Sequence, residues 1–342
     1  MAETMRAVVF ESVGRFSVRA VPRPEVRRDD DVLLRVSACG VCGTDLHILE
    51  DPPGYPAIPG TILGHEFVAT VVAAGDAAAD LRPGDRVVME PDVFCLRCAY
   101  CARGLTNLCD NLLETGILRD GGLAEYALAP ARMLHRVPDA IADTTAALTE
   151  PLACCLAAAD KARILPGMSV VVLGAGPIGL LYSLIYTSAG AGQVIVVEPR
   201  PLRQEHALSL GATLVVDPTP GDAVERVRRA TGIGADVVID AVGRGMVTGL
   251  AMLRKGGSLV VFGLDEHVQE PIRQFDVTTR EARIFGSLDG TRFFPQALEL
   301  LTRNPGLVDS LVTHQLSLDD FPRAVQLLRA GEAIKILIRP HG

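Results

Sequence analysis

Four cysteines fall within fifteen residues: Cys95, Cys98, Cys101 and Cys109, in the spacing C-x2-C-x2-C-x7-C. Four thiolates on one short loop can close a tetrahedral shell around zinc. Such a shell leaves no position open for substrate, so this site reads as structural. On ligand count alone an iron–sulfur cluster is the alternative. A nucleic-acid zinc finger is not, because the lobe has no recognition-helix pattern and no concentration of basic residues. A second set of donors precedes it: Cys42 in Cys42-Gly43-Thr44-Asp45-Leu46-His47, and His65 with Glu66 in Gly64-His65-Glu66. A catalytic zinc takes about three protein ligands and keeps one exchangeable position. A thiolate, an imidazole and a carboxylate would meet that need. A His-Glu pair alone would be a surface turn, and Cys39 and Cys42 alone would be two small apolar residues. Their occurrence beside a separate four-cysteine lobe favours a metal.

A third signal is Gly174-Ala175-Gly176-Pro177-Ile178-Gly179, entered directly from the apolar run Val170–Leu173. A lone G-x-G-x-x-G is weak, but between an apolar strand and an apolar helix it marks a dinucleotide site. Gly174 allows the tight turn, Gly176 lets the backbone approach the pyrophosphate, and Gly179 lets helix and strand pack closely. The helix N-terminus then faces the phosphates. The next strand ends at Glu198, where a carboxylate would bind the adenosine ribose hydroxyls and repel a 2′-phosphate. That favours NAD over NADP. Arg200 and Arg203 pull the other way, since a guanidinium there is the usual partner of the 2′-phosphate.

These groups must be held by two kinds of scaffold. Residues 6–10, 32–38, 65–74 and 84–90 read as short strands of a β-rich first domain, the first of them within the alternating segment Met1–Glu11. After about residue 155, apolar runs at Val170–Leu173, Val194–Val197, Leu214–Val216, Val237–Ile239 and Leu259–Phe262 alternate with helix-like segments such as 200–210 and 221–231. That alternation predicts a parallel sheet covered by helices on both faces, with a sixth strand at 282–288. Beyond 290 the pattern predicts a helix over Pro295–Thr302, a loop, a helix near 320–330 and a last strand over Ala333–Ile338.

The bulk numbers exclude other classes. The chain has 342 residues, enough for two domains, with 49% hydrophobic residues and a net charge of −8. An acidic, interspersed charge pattern argues against nucleic-acid binding. No apolar run is long enough to cross a membrane, and the N-terminus lacks the apolar core of a secretory signal. The cytoplasm is the expected location, and in a reducing compartment clustered cysteines read as metal ligands rather than disulfides.

The run Cys42–His47, the Gly-His-Glu triplet, the four-cysteine lobe and a dinucleotide fingerprint occur in that order over essentially the whole chain. In this the sequence resembles the zinc-containing medium-chain alcohol dehydrogenases, and more narrowly their sorbitol and threonine dehydrogenase branch. The resemblance implies an α/β protein: a GroES-like β-rich catalytic domain over 1–155 carrying the structural-zinc lobe at 95–109, a Rossmann doubly wound sheet over 156–290, and a C-terminal return to the catalytic domain over 291–342. It implies Cys42 and His65 as zinc ligands, Glu66 as third ligand or close carboxylate, and Glu150 in Thr149-Glu150-Pro151 as a carboxylate approaching the metal. Thr44 would receive the alcohol proton and His47 would end the relay to solvent. Asp45 would orient His65, as a metal-bound imidazole requires. Arg203 matches an arginine lining the adenosine pocket of NAD-using relatives. Nicotinamide contacts are implied at Phe262, Gly263 and Leu264 and at Ser287 and Leu288. Two departures stand out: Ala69 replaces a usual glycine, and Ile48 replaces a substrate-facing tyrosine of sorbitol-type enzymes.

The expected activity is hydride transfer between a secondary alcohol (a polyol, cyclitol or sugar-derived alcohol) and NAD(P), giving the ketone. Threonine is the alternative substrate, as is a general secondary alcohol. Leu288 and Asp289 stand where sorbitol-type enzymes tend to place an arginine, which argues against naming one substrate. A zinc-free quinone or enoyl reductase would lack Cys42, His65 and the four cysteines. A non-catalytic cofactor sensor on the same fold would hold only the structural zinc. The resemblance also implies a homodimer or homotetramer, and the sixth strand could pair edge to edge across a two-fold.

Overall fold

The computed structural model describes residues 3–342 except Ala79, Pro305 and Leu307; Met1 and Ala2 of the expected first strand lie outside them. The chain divides into two compact units, one of Met1–Ala153 with Asp289–Gly342, the other of Cys154–Leu288.

The first unit is built on a seven-stranded sheet. Its order is Val312–Ser317, Lys335–Arg339, Asp31–Gly40, Glu66–Ala74, Arg86–Met89 and Leu134–Arg136, with Tyr126–Pro130 also paired to Asp31–Gly40. Long strands form where Val, Leu and Ala dominate: every apolar residue from Val32 to Leu34 is buried, and so are Phe67–Ala69. Ala69 is itself fully buried opposite Val36, so the strand pair tolerates the methyl that replaces glycine. The segment read as a first strand, Thr4–Ser12, is not in this sheet. It makes an antiparallel ribbon with Arg15–Pro22, a strand whose alternating charges hide it in the sequence.

The C-terminal part corrects one expectation. The stretch read as a loop after Thr302 contains the strand Val312–Ser317, parallel to Lys335–Arg339. Its sequence, Val-Thr-His-Gln-Leu-Ser, is half-exposed along its length, so it lacks the apolar pattern that marks a strand. Lys335–Arg339 in turn pairs antiparallel with the end of Asp31–Gly40, Leu337 opposite Gly40. This pairing sets the chain's last strand and the start of Glu66–Ala74 on either side of Gly40.

The second unit is a six-stranded, all-parallel sheet. Numbered within the unit, its strands run 3-2-1-4-5-6: Leu214–Val216, Gln193–Val197, Ser169–Leu173, Ala235–Asp240, Leu253–Val261, Arg283–Gly286. This is the doubly wound order that binds dinucleotides at the carboxyl ends of the central strands. The central strands are apolar on both faces, as burial on both sides requires: Val170, Val171 and Val172 are all fully buried. The sixth strand is shorter than expected, Arg283–Gly286 rather than 282–288, and largely exposed at the edge. Among the described residues no helix is long and apolar enough to cross a membrane.

Candidate active site and cofactor site

Within the first unit, the ligand atoms of Cys42, His65 and Glu66 all lie within 4.8 Å of one another. Local structure explains how. The strand Asp31–Gly40 ends just before Cys42, which caps the six-residue helix Gly43–Ile48. The Asp45 carboxylate accepts the Cys42 backbone N–H at 2.8 Å, closing the turn that presents the thiol. His65 and Glu66 sit on neighbouring Glu66–Ala74, entered from Gly64. Gly64 has φ +93°, and a Cβ there would press on Leu123 and the Cys39 sulfur at 2.6–2.7 Å. Only glycine meets both demands, so the Gly in Gly-His-Glu is a backbone requirement. Cys39 is a core thiol, fully buried, its pKa driven up by that burial.

Glu66 is 1% exposed and forms an ion pair with Lys335, itself 2% exposed. Lys335 Nζ also donates to the Val41 carbonyl at 3.3 Å. Burial lowers the pKa of Lys335, but Glu66, Cys42 and Glu150 outweigh it and hold the pKa above 10.5. Burial likewise works against a charged His65, yet Cys42, Asp45 and Glu150 hold that imidazole well above its usual pKa. The site's field therefore favours positive charge. His65 Nδ1 and Asp45 Oδ1 are both buried without a hydrogen-bond partner. The expected Asp45–His65 hydrogen bond is thus not made. One Asp45 oxygen caps the Cys42 turn, and the carboxylate reaches His65 through its charge alone. Glu150, half-buried near the start of Thr149–Lys161, stays outside the 4.8 Å trio while acting electrostatically on His65 and Lys335.

The Thr44 hydroxyl lies 3.8 Å from the Cys42 sulfur. His47 is half-exposed, its Nδ1 3.1 Å from the Glu50 carboxylate. Ile48, at the substituted tyrosine position, is fully buried in the core. The nearby phenol is Tyr55, whose hydroxyl donates to Glu114 at 2.7 Å.

The sulfurs of Cys95, Cys98, Cys101 and Cys109 also lie within 4.8 Å of one another. Backbone N–H groups converge on them: Cys95 and Asn111 donate to Cys109 Sγ at 3.3 Å each, and Cys101 to Cys98 Sγ at 3.4 Å. Hydrogen bonds led by the Arg97 N–H bring Cys95 down to about 6, while burial and the neighbouring thiols push Cys101 up to about 11. Donors that favour thiolates, packed so closely that a fourth resists ionisation, suit a cation at their centre. Replacing Cys98 by serine should lower the thermal midpoint and the zinc content by one ion per chain while leaving kcat within a few-fold. Differential scanning calorimetry with metal analysis checks it.

In the second unit, Gly174 has φ +90°, and a Cβ on it would meet Val242 at 2.5 Å. A Cβ on Gly179 would collide with the Gly174 carbonyl, whereas Gly176 faces open space with Arg203 Nη1 4.0 Å away. Close packing at the first and third glycines and an open face at the second fit a pyrophosphate cradle. Pro177 opens the helix Pro177–Ser188 with Gly176 as its cap, and Ile178 follows in its first turn. Glu198 is 3% exposed; its carboxylate accepts the Ala175 N–H at 2.7 Å and the Arg200 N–H at 2.9 Å. Asp240, 1% exposed, does comparable work next door. It accepts the N–H groups of Val242, Gly243 and Gly245, and its carbonyl accepts those of Phe262 and Gly263. Leu264 is exposed beyond them. Ser287 is tied to Val261 by its N–H, its hydroxyl buried without a partner, and Leu288 is exposed.

Residues 28–139 match the alcohol dehydrogenase GroES-like domain, and residues 177–303 match the zinc-binding dehydrogenase family. The chain is 32% identical to a sorbitol dehydrogenase of Bacillus subtilis, with 99% of this chain and 98% of that protein aligned. It is 34% identical to D-xylulose reductase A of Aspergillus niger, over 96% and 95% of the two chains. The chain belongs to the zinc-dependent medium-chain alcohol dehydrogenase family. Among solved structures, this dehydrogenase is similar to a Sinorhizobium meliloti protein assigned as a zinc-binding dehydrogenase and bound to NADP. The TM-score is 0.94 and the identity 38%, over 99% and 100% of the chains. It is also similar to the 2R,3R-butanediol dehydrogenase of Bacillus subtilis, with TM-score 0.90 and 29% identity over 98% and 100%.

Sequence reading of this dehydrogenase missed Lys335 and Asp240. Asp240 carried a usable signal: an acid ending an apolar strand just before Val242-Gly243, the same grammar as Glu198. Lys335 sits in a short apolar strand where a lone lysine reads as an exposed edge residue, and nothing local betrays its partner 269 positions away.

Proposed function

We propose that this dehydrogenase oxidises a secondary alcohol of the polyol, cyclitol or sugar-derived class to the ketone, and reduces the ketone in reverse, with NAD as the preferred nicotinamide cofactor. The observation that carries the reading is the Cys42–His65–Glu66 trio, where a partly buried thiol converges with a buried imidazole and a buried carboxylate. We assign these three as the ligands of a catalytic zinc, with Glu150 as a further carboxylate beside them, and the four-cysteine lobe as the seat of a structural zinc. Zinc held at the trio supplies a Lewis acid for the alcohol oxygen, and the nicotinamide supplies the hydride acceptor.

The chain's own residues then have defined tasks. Asp45 fixes the Cys42 turn and adds negative charge beside His65. Lys335 neutralises Glu66. Thr44 takes the alcohol proton at its hydroxyl, and His47, half-exposed against Glu50, is the proton acceptor on the solvent side. The turn at Gly174, Gly176 and Gly179 receives the pyrophosphate, with Pro177 and Ile178 starting the helix behind it. Arg200 and Arg203 flank the adenosine, and Phe262, Gly263, Leu264, Ser287 and Leu288 border the nicotinamide.

NAD is preferred because the buried Glu198 carboxylate would repel a 2′-phosphate. Replacing Glu198 by glutamine should raise kcat/KM with NADP relative to NAD by at least about tenfold, a change of roughly 1.4 kcal/mol. An unchanged ratio in steady-state rates would leave Glu198 only its role in ordering Ala175 and Arg200. We place the protein in the cytoplasm, where its eight free cysteines stay reduced. We take it to be a homodimer or homotetramer, the open sheet edge at Arg283–Gly286 being the candidate contact. Turnover of the alcohol class with NAD, lost on zinc chelation, is the test of the reading.

A further inference from the structure

Asp240 is the last residue of the strand Ala235–Asp240 in the second unit. It stands directly opposite Leu173 on one side and Val261 on the other. Leu173 leads into Gly174, so Asp240 lies where the strand order reverses. A doubly wound sheet is two mononucleotide-binding halves joined at this point, and a dinucleotide lies across it. Glu198 and the glycine turn belong to the half built on the first three strands. Asp240 belongs to the other half.

Its side chain is 1% exposed, and none of the ion pairs among the described residues ends on it. A buried carboxylate without a cation must be satisfied by hydrogen bonds. Asp240 finds them in the turn that follows it. One oxygen accepts the Val242 and Gly243 N–H groups at 3.0 Å each, and the other accepts Gly245 N–H at 2.9 Å. The Asp240 main-chain carbonyl accepts the N–H groups of Phe262 and Gly263 at 3.1 and 2.9 Å. One residue therefore fastens two turns, and the turns touch. A Cβ on Gly263 would collide with the Gly243 nitrogen, and a Cβ on Gly174 would meet the Val242 side chain at 2.5 Å. Outer ties hold the same segment: Arg244 donates to Asp265 at 2.6 Å, and Met246 N–H donates to Glu270 at 2.6 Å. The turn after Asp240 is thus fixed against both the glycine turn and the segment Phe262–Leu264.

We propose that Asp240 is the positioning residue for the nicotinamide half of the cofactor. It holds the Val242–Gly245 turn against Phe262 and Gly263, so that the two turns form one wall for the nicotinamide nucleoside. Asp240 does not touch the cofactor and acts through Val242, Gly243 and Gly263. This rests on the nicotinamide site proposed above and deepens it.

Asp240→Asn is the test, because it keeps the side-chain volume. The amide oxygen still accepts from Val242 and Gly243, but the amide nitrogen then faces the Gly245 N–H, donor against donor. The opposite amide orientation loses two bonds instead of one. NADH binding is read by fluorescence titration and AMP binding by calorimetry, since AMP occupies only the adenosine half. The expected result is an NADH Kd weaker by at least about tenfold, an AMP Kd within about twofold of wild type, and unchanged circular dichroism. KM for NAD should rise with the NADH Kd. A second variant, Gly243→Ala, leaves the carboxylate in place and crowds the half-exposed turn, its Cβ 3.0 Å from the Gly263 and Leu264 backbone. It should weaken NADH and spare AMP, and it decides alone where Asp240→Asn fails to fold. Equal losses of NADH and AMP would reduce Asp240 to general support of the fold. Unchanged NADH binding in the folded variants would likewise overturn the proposal, and both outcomes leave the dehydrogenase reading intact. Wild-type protein that binds neither NADH nor AMP would overturn the proposal and the cofactor reading together.

Discussion

Replacing Cys42 by serine is expected to reduce alcohol oxidation by about 10³-fold or more while leaving the fold intact. The thiolate is the strongest donor of the trio, and a serine hydroxyl neither ionises near neutrality nor matches a borderline-soft cation. Loss of Lewis-acid assistance removes several kcal/mol of stabilisation from the transition state, and each factor of ten is about 1.4 kcal/mol. The structural consequence should be small. Cys42 is only partly buried, and the helix Gly43–Ile48 is closed by the Asp45 carboxylate on a backbone N–H, which serine keeps. Metal analysis separates this from misfolding: one zinc per chain should be lost and one, at the cysteine lobe, retained. Full activity in Cys42→Ser would remove the proposed catalytic centre.

Replacing Lys335 by methionine is expected to be the most destabilising single change outside the glycine turns. The ammonium and the Glu66 carboxylate are both almost fully buried. Removing one partner strands the other, at a cost of about 3–5 kcal/mol, or a fall in thermal midpoint on the order of 10 °C. The double change Glu66→Gln with Lys335→Met should recover much of that stability without recovering activity, because Glu66 is also one of the trio. Recovery of activity would mean Glu66 serves only as the counter-charge of Lys335. The pH dependence follows in sign. Lys335 has its pKa raised in the fold, so the pair's stabilisation is complete below pH 10.5 and fades as pH rises through the higher folded value. The variant should therefore lose the alkaline limb of the stability profile. An unchanged melting profile above pH 10.5 in wild type would show that the pair adds nothing.

The parts of this protein that could be read from its sequence are those where chemistry is local. The glycines at 174, 176 and 179 are dictated by a positive φ, a close approach and an open face within six residues, so the pattern survives without coordinates. The four cysteines lie on one loop, and their spacing alone closes a metal shell. The parallel strands are apolar on both faces and separated by helix-length segments, which leaves few alternatives. Signals that needed the folded chain were of another kind. The strand Val312–Ser317 is half-exposed and polar, and becomes a strand only by pairing with Lys335–Arg339. Ile48 occupies a position associated with substrate but is fully buried in the core cluster of the first unit. Lys335 meets Glu66 across 269 residues, a distance no local pattern encodes. Asp45 shows the limit of transferring a role by position: its carboxylate serves the Cys42 turn by hydrogen bond and His65 only by charge.

The most direct test of the central claim is the initial rate of NAD reduction across polyols, cyclitols, their amino derivatives, threonine and simple secondary alcohols, in zinc-replete and chelated protein, repeated with NADP. The account predicts turnover of a polyhydroxylated secondary alcohol, greater with NAD, abolished by chelation and restored by zinc. Undiminished turnover after complete removal of zinc, or none on any secondary alcohol in protein holding two zinc ions per chain, would contradict it.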